Sequence, residues 1–247
     1  MLRLVRAPLA NARNVKGVGL GRQKGRRAVG LYAKYLLPRI IDLAMKNKET
    51  ARLRAAWIPQ ARGTVLEVGI GSGLNLPFYP PEVHHVVGVD PSLELQRMAS
   101  KRVAASPIKV EFLAQSAEDR LPLEDASIDT VVMAWTLCSI PSAATALQQL
   151  KRVLKAEGRL IFVEHGRAPE RKVAAWQDRL TPVWKYATGG CHLNRKVDQL
   201  IAEAGFRILE LTTSYLPGPR PMTYTYQGIA QPLLNLAERE SHVQTDC

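Results

Sequence analysis

Five short, nearly continuous apolar runs alternate with helical segments between residues 64 and 165, and this alternation constrains the fold more than any other feature. Strands that are apolar on both faces need cover on both sides, which parallel sheets flanked by helices provide. Alternation of this kind predicts a doubly wound, mostly parallel α/β sheet. The predicted strands cover residues 64–68, 85–90, 108–113, 128–135 and 159–165.

The segments between these strands carry helix signals. Residues 92–105 are amphipathic with Ser92 at the N-cap position, and residues 142–158 are amphipathic with Ser142 as cap and Gly158 as stop. A further helical pattern lies before the first strand, over residues 31–57, and predicts a helical extension. Its expected core face comprises Leu36, Ile40, Leu43 and Leu53.

The pattern changes after residue 166. A tryptophan-containing helix over about 173–186 precedes a "GGCHLNR" turn and a further helix. Two last strand-like runs, "FRILELTTSY" and "MTYTYQGIA", predict an antiparallel edge, which brings the sheet to seven strands. We therefore expect one domain over residues 31–230, followed by a polar tail over residues 231–247.

Positive charge is concentrated at the N-terminus. The formal net charge is +12; residues 1–54 hold 14 Lys or Arg against two acids, whereas residues 55–247 hold 20 of each sign. Residues 1–30 contain eight basic residues, five glycines and no acid, which predicts a disordered arm. A solvated tail is one interpretation. The other interpretations are contact with an anionic membrane, contact with nucleic acid, or a mitochondrial transit peptide.

The sequence has three cysteines, Cys138, Cys191 and Cys247. An odd number at wide spacing argues against a disulfide framework and for a reducing compartment. There is no C-x-x-C pair, and the adjacent Cys191 and His192 make a poor tetrahedral site, so we expect no metal. No apolar run approaches the ~18–20 residues that span a bilayer. The expected location is the cytoplasm, with peripheral membrane attachment or the mitochondrion as alternatives.

The segment "VLEVGIGSGLNL" leads from the first strand into three alternate glycines, Gly69, Gly71 and Gly73. A glycine-rich turn at this place in an α/β sheet usually binds a nucleotide. The dinucleotide fingerprint requires glycine at the sixth loop position, where this chain has Leu74. Glu67 precedes the loop, and its carboxylate would repel a pyrophosphate but attract an ammonium or sulfonium group. S-adenosylmethionine carries both cations and no phosphate.

With these motifs the sequence resembles the class I S-adenosylmethionine-dependent methyltransferases. "LEVGIGSG" is similar to their first motif, and "VVGVDPS" to their second-strand motif, in which Asp90 would accept both ribose hydroxyls. "QSAEDRLPLEDASIDTVV" is similar to their adenine-binding loop. The resemblance implies a Rossmann-like methyltransferase fold with S-adenosylmethionine as cofactor. The implied cofactor-binding residues are Glu67, Gly69, Gly71, Gly73, Asp90, Pro91, Ser116, Ala117 and Thr136.

The segments after the fourth and fifth strands, "WTLCSIP" and "VEHG", would open over the cofactor's sulfonium group. Methyl transfer is an in-line displacement, so the protein mainly aligns the attacking atom. His165 is a titratable base at a strand end and suits proton removal near neutral pH; a structural hydrogen bond is the alternative. His165 and Asp90 are the candidate catalytic residues. Cys138 is a candidate substrate contact, with a small buried hydrophobe as the alternative.

A closer resemblance extends from residue 64 to 230. "FYPP", "TLCSI", "EHG", "WQDRLTPVW", "GGCHLNR" and "RPMTYTYQGIA" are similar to segments that occur in the same order in the methyltransferase-like thiol S-methyltransferases and their bacterial relatives. This resemblance implies S-methylation of small apolar thiols and a substrate lid within about residues 166–195, where Trp176, Trp184 and His192 would contact the substrate. Core packing is the alternative for the tryptophans. Those relatives carry an apolar N-terminal membrane anchor, where this chain has a basic arm.

Three functions therefore stay open. The first is S-methylation of a small thiol, and the second keeps the cofactor but methylates a phospholipid head-group amine or a quinone-type precursor at carbon or oxygen. The third is a non-catalytic module that binds nucleic acid or a membrane through its basic arm. The neutral body argues against a nucleic-acid partner and for a small-molecule substrate. The oligomeric state stays open.

Overall fold

The computed structural model describes residues 35–233, so the predicted basic arm and most of the predicted tail lie outside the described residues. None of the helices in this described part is both long and apolar enough to cross a bilayer. The helices are α1 (Leu37–Ala44), α2 (Lys48–Trp57), α3 (Leu93–Ala104), α4 (Ala143–Val153), α5 (Arg171–Ala187), α6 (Val197–Glu203) and α7 (Arg220–Thr223). The strands are β1 (Gly63–Val68), β2 (Val83–Val89), β3 (Lys109–Leu113), β4 (Ile128–Ala134), β5 (Leu154–His165), β6 (Phe206–Tyr215) and β7 (Tyr224–Pro232).

The seven strands form one sheet in the order β3-β2-β1-β4-β5-β7-β6. Strand β7 runs antiparallel to β5 and β6, and the other neighbouring strands are parallel. This confirms the predicted mostly parallel sheet with an antiparallel edge. The chain builds outward from β1 in one direction and from β4 in the other, so the topological switch point lies between these two strands. Ligands of open α/β sheets bind outside the carboxyl ends of the strands at this point.

Each face of the sheet buries its own apolar layer. Val65 packs with Trp57 and Ile58 on one face, and its neighbour Leu66 packs with Phe162 and other residues on the opposite face. Successive side chains of a strand point to opposite faces, so a strand covered on both sides must be apolar throughout. This is why the central strands read as continuous apolar runs.

The predicted start of α3 and the predicted end of α4 can be compared with the structure. Ser92 caps α3 as predicted, since its Oγ accepts a hydrogen bond from Leu95 N at 3.3 Å. The predicted stop at Gly158 is wrong: α4 ends at Val153, because Leu154 already takes extended backbone angles and pairs with Ile128 of β4.

The region before the first strand forms two short helices. Asn47 separates them and caps α2, with Thr50 N donating to Asn47 Oδ1 at 2.9 Å. The predicted core face is wrong for α1: Leu36, Ile40 and Leu43 are 52%, 46% and 74% exposed. The buried side of α1 carries Leu37 and Asp42 instead, and Asp42 points to the loop after β1.

Replacing Phe162 by Ala should lower the free energy of unfolding by about 3–5 kcal/mol, because this ring is fully buried on the interior strand β5 and its loss leaves a cavity. Urea denaturation followed by circular dichroism measures the change. The matched control is Leu43→Ala on the exposed side of α1, which should change the value by less than about 0.5 kcal/mol. Equal effects of the two substitutions would contradict this assignment of the core.

Candidate active site

A cavity of about 900 Å³ opens at the carboxyl ends of β1, β2, β4 and β5. Its walls also include α1, the end of α5 and the segment before α7. Eleven of the residues predicted from the sequence line it, namely Glu67, Gly69, Gly71, Asp90, Pro91, Ser116, Ala117, Thr136, Cys138, His165 and Trp184. Three predicted residues, Gly73, Trp176 and His192, are not among the lining residues of this cavity.

The loop after β1 that contains Gly69, Gly71 and Gly73, here called the glycine loop, lies directly against the neighbouring strands. Gly69 has φ +69° and donates its backbone N–H to Val89 O at 2.7 Å; a Cβ atom there would lie 2.2 Å from Thr136 Oγ1. Gly71 has φ +54° and donates to Asp90 Oδ2 at 3.0 Å. Side chains are disfavoured at such φ values, so both positions need glycine. The loop thereby presents bare backbone to the cavity.

Asp90 directly follows β2 and has a buried carboxylate. Its second oxygen, Oδ1, accepts a hydrogen bond from Ser92 N at 2.7 Å, so the two oxygens fix the glycine loop and the start of α3 together. Burial raises the pKa of Asp90, and the bonds from Ser92 and Gly71 oppose that rise. The carboxylate is held rigidly in the cavity wall by these contacts.

Glu67 is more enclosed than the sequence argument assumed. Asn75 Nδ2 donates to its Oε1 at 2.9 Å, and Tyr79 Oη donates to its Oε2 at 2.7 Å. Arg54 Nε in turn donates to Asn75 Oδ1 at 2.9 Å. Burial raises the pKa of Glu67 to about 7, although these hydrogen bonds and the nearby guanidinium favour the ionised form. The free protein therefore carries only part of a negative charge here at neutral pH.

The N-terminal helices also fix the glycine loop, which sequence reasoning missed. Ser72 Oγ donates to Asp42 Oδ1 of α1 at 2.5 Å, and Arg102 Nη1 of the later helix α3 donates to Ser72 O at 2.7 Å. One signal was available in the sequence, because Asp42 and Glu49 are the two acids among the first 54 residues.

The loop after β4 is organised by Glu164, which sequence reasoning did not place in the site. This fully buried carboxylate accepts hydrogen bonds from the backbone N–H groups of Thr136 and Leu137, each at 2.8 Å, and of Cys138 at 3.2 Å. Burial raises the pKa of Glu164, and these three bonds oppose the rise. Glu164 therefore fixes Cys138 relative to the next residue on its own strand, His165.

Two thiols and an imidazole meet at this wall of the cavity. Cys138 Sγ lies 3.5 Å from Cys191 Sγ, and Cys191 Sγ lies 3.8 Å from His165 Nδ1. The hydrogen bond between the thiols, together with burial, raises the pKa of Cys138, and the same bond lowers the pKa of Cys191. Cys191 is thus the thiol that ionises first. The sequence did not indicate this pairing, since 53 residues separate the two cysteines.

The predicted lid residues divide between the cavity and the surface. Trp184, near the end of α5, lines the cavity, whereas Trp176 is 53% exposed with the Arg179 guanidinium 5.6 Å from its ring centre. His192 donates its backbone N–H to Cys138 O at 2.8 Å, and its Nδ1 lies 3.1 Å from the same oxygen. These contacts place His192 behind Cys138; neither Trp176 nor His192 lines the cavity, and their substrate contacts stay predictions.

Comparisons with known proteins identify the family. Residues 66–162 match the family model described as methyltransferase domain. The thiol S-methyltransferase TMT1B of Rattus norvegicus is 34% identical over 189 residues, which are 73% of this chain and 77% of that protein. The chain belongs to the class I S-adenosylmethionine-dependent methyltransferases. It is therefore an enzyme that uses S-adenosylmethionine, which decides against the non-catalytic binding module.

Two further proteins are similar to this methyltransferase. The phosphatidylethanolamine N-methyltransferase of Cereibacter sphaeroides is 30% identical over 169 residues, which are 68% of this chain and 82% of that protein. The 1,6-didemethyltoxoflavin-N1-methyltransferase of Burkholderia thailandensis, solved with bound S-adenosylhomocysteine, shares the fold with a TM-score of 0.58 at 16% identity, covering 89% of this chain and 94% of that one.

The walls of the cavity fit S-adenosylmethionine. The glycine loop lets a nucleoside approach the backbone closely, and the Asp90 carboxylate lies beside it as an acceptor for hydroxyl groups. Glu67 adds a second carboxylate to the wall, which suits a cationic ligand and opposes a phosphate.

The affinity for S-adenosylmethionine should rise with pH between pH 6 and 8. Because burial raises the pKa of Glu67 to about 7, the carboxylate is mostly protonated at pH 6 and mostly ionised at pH 8, and only the ionised form attracts a cation. The expected gain is up to about tenfold in Kd, measured by isothermal titration calorimetry. Glu67→Gln is the control, since it lacks this titration and corrects for titration of the ligand itself. The same pH dependence in both proteins would refute the role of Glu67.

Proposed function

We propose that this methyltransferase transfers the methyl group to the sulfur of a small apolar thiol. The observation that carries the proposal is the group of Cys138, Cys191 and His165, which lies in the wall beyond the glycine loop and the carboxylates. An imidazole beside two thiols suits a sulfur nucleophile, because thiols attack as thiolates and need a neighbour that favours loss of the proton. The similarity to an enzyme named as a thiol S-methyltransferase supports the same acceptor.

The remaining walls indicate that the acceptor is apolar. Aliphatic side chains from α1 and the residue after it, and from α7 and the segment before it, line the cavity. A small apolar acceptor would bury its surface here with a gain of roughly 25 cal/mol per Å². The lining side chains from these segments are Leu37, Ile40, Ile41, Met45, Leu216 and Met222.

One half of the cavity binds the methyl donor, and the other half binds the acceptor. Bound S-adenosylmethionine supplies a methyl carbon on a positively charged sulfur. The glycine loop and Asp90 hold the nucleoside, and His165 and the thiols receive the acceptor sulfur. The acceptor thiol would release its proton to solvent, its lone pair would form the new S–C bond, and the electron pair of the old C–S bond would stay on the donor sulfur. The products are a methyl thioether and S-adenosylhomocysteine, and the protein contributes alignment and exclusion of water.

A second acceptor class is a phospholipid head-group amine. The similarity to a phosphatidylethanolamine N-methyltransferase favours it, and the basic residues 1–30 would suit an anionic membrane surface. This alternative requires a lipid surface, whereas a small thiol does not.

An acceptor assay separates these possibilities. Radiolabelled S-adenosylmethionine is incubated with the full-length enzyme and a small alkyl thiol, phosphatidylethanolamine vesicles or a prenylated phenol. We expect label in the thioether, with no need for vesicles. Label in the lipid or the phenol and none in the thiol would overturn the proposed acceptor.

Replacing His165 by Ala should lower kcat for the thiol by about 100-fold or more, while the Kd for S-adenosylmethionine changes less than about twofold. The reason is that His165 lies at the acceptor side of the cavity and contacts Cys191 rather than the glycine loop. The matched control is His84→Ala, an exposed histidine near the amino end of β2, which should retain full activity. Equal losses in kcat and in cofactor affinity would make His165 a structural residue instead.

A further inference from the structure

Three side chains at one wall of the cavity bring soft ligand atoms together. The sulfur atoms of Cys138 and Cys191 lie 3.5 Å apart, His165 Nδ1 lies 3.8 Å from the second sulfur, and the ligand atoms of the three residues all lie within 4.8 Å of one another. A tetrahedral zinc ion with Zn–S about 2.3 Å and Zn–N about 2.0–2.1 Å places two sulfurs about 3.8 Å apart and a sulfur and a nitrogen about 3.6 Å apart. The observed separations of these pairs differ from the zinc values by only a few tenths of an ångström.

We propose that Cys138, Cys191 and His165 bind a zinc ion whose fourth coordination position faces the cavity. Three protein ligands with one open position are the pattern of catalytic zinc sites, and a Cys₂His set is one of the known combinations. All three residues line the cavity, so an acceptor can reach the open position. Hard cations such as magnesium and calcium prefer oxygen ligands, which this group does not offer.

Two of the three ligands, Cys138 and Cys191, lie in segments that are held by contacts outside the group. Glu164 accepts a hydrogen bond from Cys138 N, and His192 N donates to Cys138 O at 2.8 Å, so the backbone of this ligand is held on both sides. Arg195 ties the segment after Cys191 to the loop after β4, because its guanidinium donates to Leu137 O and to Pro141 O. Such outer contacts orient metal ligands and are part of a metal site.

This inference rests on the proposed function and supplies its missing step. Binding of the acceptor thiol to zinc releases its proton to solvent and forms a zinc–thiolate bond. The thiolate lone pair then forms the S–CH₃ bond, while the pair of the old C–S bond stays on the sulfonium sulfur and gives S-adenosylhomocysteine. The neutral thioether, a weaker ligand than a thiolate, leaves the metal. His165 acts as a ligand rather than as the free base predicted from the sequence.

Cobalt substitution tests the metal site without any activity measurement. The full-length protein is reduced, stripped of metal with a chelator and titrated with Co²⁺. We expect one equivalent to produce thiolate-to-cobalt charge-transfer absorption and the intense visible bands of a tetrahedral site, and Zn²⁺ to abolish them. Cys138→Ser, Cys191→Ser and His165→Ala should each weaken metal binding by more than the roughly 10–100-fold that loss of an outer contact costs, whereas Cys247→Ser should not. Absence of thiolate absorption, or its persistence in the Cys138 and Cys191 variants, overturns the proposal.

A second measurement separates this inference from the proposed acceptor. Addition of a small alkyl thiol to the cobalt protein, without S-adenosylmethionine, should shift the visible bands, and metal removal should abolish thiol methylation until Zn²⁺ is restored. Full thiol methylation by metal-free enzyme overturns the zinc site and leaves the proposed function intact. A cobalt site that responds to the thiol in an enzyme that methylates only phosphatidylethanolamine overturns the function and not the site. Circular dichroism and the Kd for S-adenosylmethionine show that each variant is folded.

Discussion

The site depends on the buried carboxylate of Glu164, because this group holds the loop after β4 in place. It accepts hydrogen bonds from three consecutive backbone N–H groups that follow β4. Each of those groups would cost about 1–3 kcal/mol if it were buried without a partner, and the carboxylate itself needs them to offset its loss of hydration. Because Glu164 precedes His165 on β5, one side chain fixes the loop, its cysteine and the imidazole in a common frame.

The loop held by Glu164 lies between two regions of the cavity that differ in chemistry. The strand order β2-β1-β4-β5 places Asp90, Glu67, Thr136 and His165 in a row along the carboxyl edge of the sheet. Neighbouring strands lie about 4.8 Å apart, so the row spans roughly 14 Å. The carboxylates lie at one end and the thiols with the imidazole at the other. The loop after β4 lies between them and contacts both, since Thr136 packs on Gly69 and Cys138 packs on Cys191.

Sequence patterns predicted the features that depend on one segment of the chain alone. Continuous apolar runs marked the strands, and glycines beside an acid marked the first loop, because strand burial and positive φ angles are properties of single segments. The missed features join distant segments: Cys138 meets Cys191 across 53 residues, and Arg54 meets Asn75 across 21. Periodicity carries no information about such pairings. It also misled for α1, because the predicted core residues Leu36, Ile40 and Leu43 are exposed.

The electrostatics of the carboxylates give the cavity a preference between the two forms of the cofactor. Burial raises the pKa of both Glu67 and Asp90, which means that the free protein holds negative charge there at a cost. A bound sulfonium group offsets that cost, because its positive charge attracts the carboxylates. Methyl transfer removes the sulfonium charge, so the carboxylates lose a partner at the moment the product forms. The same burial that makes Glu67 a weak acid therefore makes the site favour the methyl donor over the product that must leave.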